Sequence, residues 1–395
     1  MGIARTKREG YIAIEFMLYA ISIDWLAFFC LTDNESWKPV EDDPNTEDVF
    51  GPLPWVYKKE PHGTRQFKDL WSVILLGNEV AEVQCCPCSP ILPPRSCIVK
   101  FNNRLLYQHD LWEIVDRFIR DHRMSIQNIS RLDICADFLR FECSPCIKFI
   151  ADFLGSKIRR VGRGKGGAYF QHYTSKSVDG CSISHLDYTG LSFGDKQSDS
   201  RVYMYNKSLE LMQVKNKPYI KDFWRRVGLI ETYAGKDGKV RTRDVWRLEV
   251  SMGSKAMKFK DRKTDDIIHV SRDMIGEGAD LVKLYHTMIS KLFVFIKNHD
   301  HITNVTREPR LDLWGTTPAC YDRAIIRNVS CSTRTERILI KQLWTLAETY
   351  RGDCEDIIKD RDLMQQIAAN LAEQTDLTRW LLHKRNTWGD KSNYK

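Results

Sequence analysis

The sequence lacks the features that would place the chain in a membrane, in the secretory pathway or among repeat proteins. Its most apolar run, Phe16–Leu31, is shorter than the roughly 20 residues that cross a bilayer, and Asp24 interrupts it. We find no signal-peptide pattern, no internal repeat and no low-complexity tract. We therefore predict a cytoplasmic protein that does not bind membranes, with a buried strand over residues 22–31.

The sequence also lacks the pattern of a disulfide-stabilised scaffold. Twelve cysteines are spread over 395 residues, far more chain than such scaffolds have. Two groupings have metal-site spacing: Cys85–Cys88 with Cys97, and Cys143 with Cys146. A zinc site usually needs two close pairs that converge, and the first grouping is irregular and proline-rich. We predict free thiols in and near loops, with zinc as the alternative.

A nucleotide-binding phosphate loop is absent as well. The glycine-rich segment Gly162–Gly167 lacks the G-x-x-x-x-G-K-[ST] spacing, so it indicates a flexible basic turn. Positive charge is nevertheless concentrated around it, with 22 Lys and Arg against 11 Asp and Glu over residues 151–260. Residues 1–60 are acidic, with 6 basic and 11 acidic side chains. This asymmetry is typical of a protein with a polyanionic partner, although a solvated basic face also explains it.

Hydrophobic periodicity predicts an α+β fold in which antiparallel sheets pack with helices. The predicted strands are 71–76, 82–86, 131–142, the two arms of a hairpin within 186–211, and 240–252; the predicted helices are 110–123, 146–154 and 217–226. We divide the chain into an N-terminal extension (1–21), an α+β region (22–330) with an acidic loop insertion (32–64), and a C-terminal helical region (331–395). A capping box at Thr333–Glu336 marks the start of that last region.

Three of the predicted strands carry residues suited to phosphoryl chemistry. The period of two places these on one face of each strand: Arg131, Asp133 and Asp137; Arg201, Tyr203, Tyr205 and Lys207; and Arg247 and Glu249. If the strands are neighbours, the carboxylates suit Mg²⁺ or Mn²⁺, the cations suit phosphates, and a tyrosine hydroxyl can attack phosphorus. The alternative is that R-x-D and R-x-E pairs form salt bridges on a solvated sheet face.

These motifs, in this order, resemble those of the replication initiation factor family, the rolling-circle initiators of plasmids and the nicking relaxases of integrative elements. RLDICADF comes first, GLSFGDKQSDSRVYMYNKSLEL second and WRLEVSM third. The matched positions are Arg131, Asp133, Asp137, Gly194, Ser198, Arg201, Tyr203, Tyr205, Asn206, Lys207, Glu210, Arg247 and Glu249. The resemblance covers roughly residues 22–260.

The resemblance implies a metal-dependent endonuclease that nicks one strand of an origin and stays attached through a tyrosine. It implies Asp133, Asp137 and Glu249 as ligands of Mg²⁺ or Mn²⁺. It also implies origin DNA, double- and single-stranded, as the partner, a homodimer, and a host helicase as a further partner. The phosphate contacts would come from these basic residues: Arg131, Arg201, Lys207 and Arg247.

One departure concerns the nucleophile. The family's tyrosine stands two residues before the hairpin glycine, where this sequence has Ser192 before Gly194. Tyr188 is the first candidate to replace it and Tyr205 the second. Two other functions remain open: a sequence-specific, repressor-like DNA-binding protein without catalysis, and a metal nuclease that uses water. A helix followed by a basic hairpin also leaves a winged DNA-binding element open.

Overall fold

The computed structural model describes residues 19–33, 55–89, 92–161, 189–194, 198–213, 216–235, 238–299, 302, 304–305, 307–315 and 318–325. These all belong to the first of two compact units, residues 1–326 and 327–395. The predicted C-terminal helical region with its capping box, the basic turn Gly162–Gly167 and Tyr188 lie outside the described residues, as do residues 1–18 of the predicted extension. The proposed domain boundaries therefore stay predictions.

The elements are numbered in chain order. The strands are β1 (Tyr19–Thr32), β2 (Trp55–Lys59), β3 (Phe67–Leu75), β4 (Asn78–Pro87), β5 (Ser96–Phe101), β6 (Met124–Phe138), β7 (Ile158–Val161), β8 (Gly190–Phe193), β9 (Ser200–Asn206), β10 (Thr232–Ala234), β11 (Val240–Thr242), β12 (Trp246–Gly253), β13 (Lys258–Asp261), β14 (Ile267–His269), β15 (Val294–Lys297) and β16 (Arg323–Ile325). The helices are α1 (Leu111–Asp121), α2 (Cys146–Leu154), α3 (Lys207–Gln213), α4 (Pro218–Arg226), α5 (Arg272–Gly276) and α6 (Gly278–Leu292). Short 3-10 turns cover Leu105–Tyr107 and Ser254–Met257.

A nine-stranded sheet organises the described residues. Its strand order is β2-β3-β4-β5-β1-β6-β12-β9-β8. Every neighbouring pair in it is antiparallel. The predicted α+β class with antiparallel strands is thus confirmed. None of the described helices is long and apolar enough to cross a membrane.

The central strands separate an apolar face from a polar face. Alternate residues Ile134, Leu248 and Met204 are fully buried and build the apolar face. Helix α6 covers it: the Tyr285 hydroxyl donates to the Leu248 carbonyl oxygen over 3.1 Å. The intervening residues of the same strands carry the charges singled out from the sequence, so the polar face is the place to look for chemistry.

Part of the polar face is covered by helix α4 and the 3-10 turn Leu105–Tyr107. Helix α4 begins with Pro218 at its first turn, as the sequence predicts. Its buried Phe223 packs edge-on against Tyr107, with ring centroids 5.4 Å apart. This packing places the hydroxyl of Tyr107 and the indole of Trp224 above the charged side chains of β6 and β12.

The structure differs from the sequence prediction in several elements, of which three bear on the sheet. Within the predicted loop 32–64, Trp55–Lys59 forms the edge strand β2, because Trp55 is fully buried against Phe118, with ring centroids 5.4 Å apart. The predicted strand 240–252 is two strands, since β11 pairs with β10 whereas β12 joins the large sheet. The second arm of the predicted hairpin ends at Asn206, so that Lys207 begins helix α3.

Candidate active site

Strand register aligns the predicted site residues in rows across the polar face. Residues directly opposite on antiparallel strands point to the same side of a sheet. The rows are Asp133, Ser251 and Arg201; Cys135, Glu249, Tyr203 and Ser192; and Asp137, Arg247, Tyr205 and Gly190. The three predicted strands are therefore neighbours, and their charged residues share one face.

Arg247 is the centre of a buried ion network. Its guanidinium donates to both carboxylate oxygens of Asp137, over 2.7 and 2.8 Å, and to Asp24 Oδ1 over 2.6 Å. It also donates to the Tyr107 hydroxyl oxygen over 2.8 Å, and its side chain has no exposed surface. The sequence predicted that Arg247 contacts phosphate, but its side chain is fully buried in this structure. It instead pairs with carboxylates on two neighbouring strands.

The carboxylate of Asp137 makes its hydrogen bonds to other side chains of the protein. Besides the two bonds from Arg247, it accepts a hydrogen bond from Trp224 Nε1 over 2.7 Å. The carboxylate is fully buried. A cation ligand would have to give up these partners, whereas as an anchor for Arg247 the carboxylate is fully satisfied.

Asp24 belongs to the same network and was not among the residues selected from the sequence. Strand β1 has a register irregularity between Ile23 and Trp25, and Asp24 lies within it. Its Oδ1 accepts hydrogen bonds from Tyr107, Arg247 and Asn103. Burial opposes ionisation, but Arg247 and Lys207 hold the pKa of Asp24 well below its usual range. An acidic residue within an apolar strand needs such partners, and its position in the run Phe16–Leu31 is the sequence signal from which it could have been selected.

Tyr205 forms a hydrogen-bonded group with Glu249 and Lys207. The Tyr205 hydroxyl donates to Glu249 Oε2 over 3.0 Å, and Lys207 Nζ donates to the Tyr205 oxygen over 3.3 Å. Lys207 is buried and pairs with Glu210 over 2.5 Å. Burial raises the pKa of Tyr205 well above its usual value, with the charge of Glu249 adding to the effect and that of Arg247 opposing it. The group thus combines a hydroxyl, a proton acceptor and a fixed cation.

Glu249 has the properties of a general base near neutral pH. Burial raises its pKa from 4.5 to about 7, and the negative charges of Asp24 and Asp133 add to the effect. Arg247 and Lys207 oppose the shift. A pKa near the operating pH is what efficient proton transfer requires.

Asp133 lies at the rim, next to the most accessible cation of the predicted set. Arg131 donates to its two oxygens over 3.1 and 2.6 Å and stacks over the Trp25 ring at 4.1 Å. Burial raises the pKa of Asp133, although Arg131 and Ser251 oppose the rise. Arg201 is half-buried on the same face and donates to the Tyr203 oxygen over 3.3 Å. Arg131 and Arg201 therefore reach positions where a ligand can approach.

The donor chemistry of this face fits a hard divalent cation. Asp24, Asp133 and Glu249 supply carboxylate oxygens, and the charges of the first two already raise the pKa of the third. Their oxygens are not yet gathered, because the only group in the described part of the chain with three ligand atoms mutually within 4.8 Å is Asp69, Cys85 and Cys86. Asp133 would have to turn from Arg131 to complete a site.

Glu249 makes the stability of the protein depend on pH in a predictable direction. Because the folded state holds the proton more tightly, the free energy of unfolding falls as pH rises from about 4.5 through about 7. Over this pH range the ionisation of Glu249 lowers the free energy of unfolding of the wild-type protein by up to about 3 kcal/mol. We expect Glu249→Gln, which keeps an acceptor for Tyr205, to be more stable than wild type at pH 8 and similar near pH 4.5.

Urea unfolding in the presence of a chelator, at a series of pH values, measures this difference. If the difference in the free energy of unfolding between wild type and Glu249→Gln stays constant between pH 4.5 and 8, the raised pKa assigned to Glu249 is wrong. Adding Mg²⁺ or Mn²⁺ at pH 8 provides a second arm: it should stabilise the wild type more than the Gln variant, because the cation offsets the charges around Glu249.

No protein-family model matches the chain, and no curated protein matches it. Among solved structures, it is similar to a rolling circle replication initiator protein from Geobacillus stearothermophilus, with 15% sequence identity and a TM-score of 0.40. That match covers 74% of this chain and 92% of the other. A TM-score this low does not support the transfer of residue roles.

Proposed function

We propose that the protein initiates rolling-circle DNA replication by nicking one DNA strand through a covalent tyrosyl intermediate. The observation that carries the proposal is the group in which the Tyr205 hydroxyl lies 3.0 Å from Glu249 and 3.3 Å from Lys207. Covalent catalysis uses a nucleophile that is hydrogen-bonded to a base, and neighbouring groups set the pKa of that base. The ordered motifs that resemble the replication initiation factor family give the substrate class.

The proposed step begins with proton transfer from the Tyr205 hydroxyl to Glu249. The phenolic oxygen forms a bond to phosphorus, and the bond from phosphorus to one sugar oxygen breaks. The leaving sugar oxygen takes up a proton from solvent, Glu249 releases its proton to solvent, and the strand remains joined to Tyr205 as a phosphotyrosine ester. Attack by a sugar hydroxyl in the reverse direction rejoins DNA and returns the tyrosine. Lys207 stabilises the negative charge that develops on the phenolic oxygen.

The carboxylates of this face are proposed to hold Mg²⁺ or Mn²⁺. Asp133 and Glu249 belong to the ligand set inferred from the sequence. Asp24 joins them on the same face, with Oδ2 as its proposed ligand atom, because Oδ1 accepts from Tyr107, Arg247 and Asn103. Asp137 completes that earlier set, but its contacts with Arg247 and Trp224 support an anchoring role. When bound, the cation would offset charge on the phosphoryl group in transfer.

Origin DNA is the proposed partner, and the two arginines at the rim of the polar face are its proposed contacts. Arg131 and Arg201 lie at the rim, so they are placed to meet the DNA backbone. Lys207 and Arg247 are buried, and their proposed roles are to position Tyr205 and the carboxylates. The excess of basic residues over 151–260 supports a polyanionic partner. A homodimer and a host helicase remain predictions from the family resemblance.

A strand-cleavage assay tests the proposal. Single-stranded DNA tiled across the sequence flanking the gene is incubated with the protein and Mg²⁺ or Mn²⁺, and the products are separated on denaturing gels before and after protease. We expect a cleaved strand whose slow-moving band collapses on protease treatment. Cleavage without that band would indicate a nuclease that uses water, and tight binding without cleavage would indicate a repressor-like protein; either result would overturn the proposed mechanism.

A further inference from the structure

A second cluster of ligand-type side chains lies on β3 and β4, away from the candidate active site on β6, β9 and β12. A carboxylate oxygen of Asp69 and the sulfur atoms of Cys85 and Cys86 are all within 4.8 Å of one another. Cys85 and Cys86 belong to strand β4, which agrees with the predicted strand 82–86, whereas Cys97 belongs to β5 and not to a loop. None of the cysteines in the described part of the chain is joined in a disulfide.

Strand pairing and one backbone irregularity bring the three ligand atoms together. Asp69 lies directly opposite Cys85 in the β3–β4 ladder, so the two side chains share a face. The next residue of a regular strand would point to the other face. Cys86 instead has a φ of 59°, in the left-handed region that non-glycine residues rarely adopt. Both adjacent sulfur atoms thereby come within reach of the same carboxylate.

The burial of the three side chains suits a bound ion at the edge of the core. Cys85 is buried, whereas Cys86 and Asp69 are half-buried. Asp69 is paired through Oδ1 with Lys59 over 3.6 Å. The cluster is therefore shielded on the Cys85 side and accessible to solvent on the Cys86 side.

We propose that Asp69, Cys85 and Cys86 bind a thiophilic divalent cation, Zn²⁺, with a solvent molecule in the fourth position. Zinc takes four tetrahedral ligands and accepts this mixture of thiolate sulfur and carboxylate oxygen. With Zn–S bonds of about 2.3 Å, two sulfur ligands lie about 3.8 Å apart. The two sulfur atoms are within 4.8 Å of each other, so they need to approach by at most about 1 Å. Mg²⁺ and Mn²⁺, which prefer oxygen ligands, are not expected here.

Binding must be coupled to proton release. Burial raises the pKa of Cys85, and the nearby Cys86, Asp69 and Cys97 add to the rise, so without metal the thiol keeps its proton. Zinc binding displaces one proton from Cys85 and one from Cys86 into solvent, and the affinity for zinc should rise with pH. The bound ion would join the beginning of β3 to the end of β4, and its binding does not depend on the proposed nicking activity.

Zinc titration of the full chain tests the site. The protein is kept reduced, stripped of metal by chelator dialysis, and titrated with Zn²⁺ alone in competition with a chromophoric chelator. We expect one high-affinity zinc per chain, and an affinity lower by about 100-fold or more in Cys86→Ser and reduced in Asp69→Asn. Cys143→Ser, which removes an exposed thiol outside the cluster, is the matched control and should bind like wild type.

A measurement on the unaltered protein guards against variants that fail to fold. Co²⁺ substituted into a site with two thiolates gives a sulfur-to-cobalt charge-transfer band, and this band should appear in wild type and in Cys143→Ser. The proposal is overturned if wild-type protein does not compete with the chelator, if cobalt shows no thiolate band, or if folded Cys86→Ser binds zinc as tightly as wild type does.

Discussion

Replacing Tyr205 with phenylalanine is expected to abolish the covalent protein–DNA adduct. The substitution keeps the ring, which is half-buried on β9, and removes only the oxygen proposed to attack phosphorus. Removal of a nucleophile typically costs about 10⁴-fold or more in rate. Single-turnover cleavage of labelled single-stranded DNA in Mg²⁺ or Mn²⁺ measures the loss. Because the hydrogen bonds of this oxygen to Glu249 and from Lys207 are both lost, the free energy of unfolding should fall by about 1–3 kcal/mol.

Two further tyrosine variants make the result specific. Tyr203 lies on the same strand face and its oxygen accepts from Arg201, so Tyr203→Phe is the matched control, and we expect a rate within about tenfold of wild type. Tyr188, the first candidate from the sequence, lies outside the described residues, and Tyr188→Phe should retain the adduct. If Tyr188→Phe abolishes the adduct while Tyr205→Phe forms it, the nucleophile is Tyr188 and the role given to Tyr205 is wrong.

Arg247→Met is expected to cause the largest loss of stability, about 3–5 kcal/mol in the free energy of unfolding at pH 7. The substitution leaves the fully buried carboxylate of Asp137 and the carboxylate of Asp24 without their shared cation. It also removes a donor to the Tyr107 hydroxyl. Urea unfolding followed by far-ultraviolet circular dichroism measures the change.

The same experiment includes a control and a partial rescue. Arg225→Met removes an exposed ion pair with Asp222 and should cost less than about 1 kcal/mol. Adding Asp137→Asn to Arg247→Met removes one uncompensated charge, so the double variant should recover part of the loss. An Arg247→Met protein as stable as the Arg225→Met control would show that the ion network does not hold the central strands together.

The alternation of residues in strands made much of the polar face predictable. A period of two places Asp133 with Asp137, and Arg247 with Glu249, whatever the rest of the fold. The register between strands cannot be predicted in this way, because it depends on pairing between segments about 110 residues apart. For this reason the sequence indicated that Arg247 carries a charge toward the site, but not that Asp137 is its partner.

The partners that the sequence did not indicate come from elements distant along the chain. Asp24 meets Arg247 across 223 residues through the irregularity in β1, and Tyr107 reaches it from a 3-10 turn after β5. Trp55 is a similar case, because strand β2 can be recognised only from the packing of Trp55 against Phe118 of α1. Local pattern cannot supply such contacts, since they depend on how the strands assemble.

Identification of the tyrosine that carries DNA tests the central claim most directly. The protease-sensitive adduct is digested with trypsin and nuclease, and the nucleotide-bearing peptide is sequenced by mass spectrometry. Trypsin separates the candidates, because residues 202–207 (VYMYNK) hold Tyr203 and Tyr205, whereas residues 177–196 hold Tyr188. We expect the nucleotide on Tyr205 of the shorter peptide. A nucleotide on Tyr188, or on a residue other than tyrosine, would contradict the account of the Tyr205, Glu249 and Lys207 group as the catalytic centre.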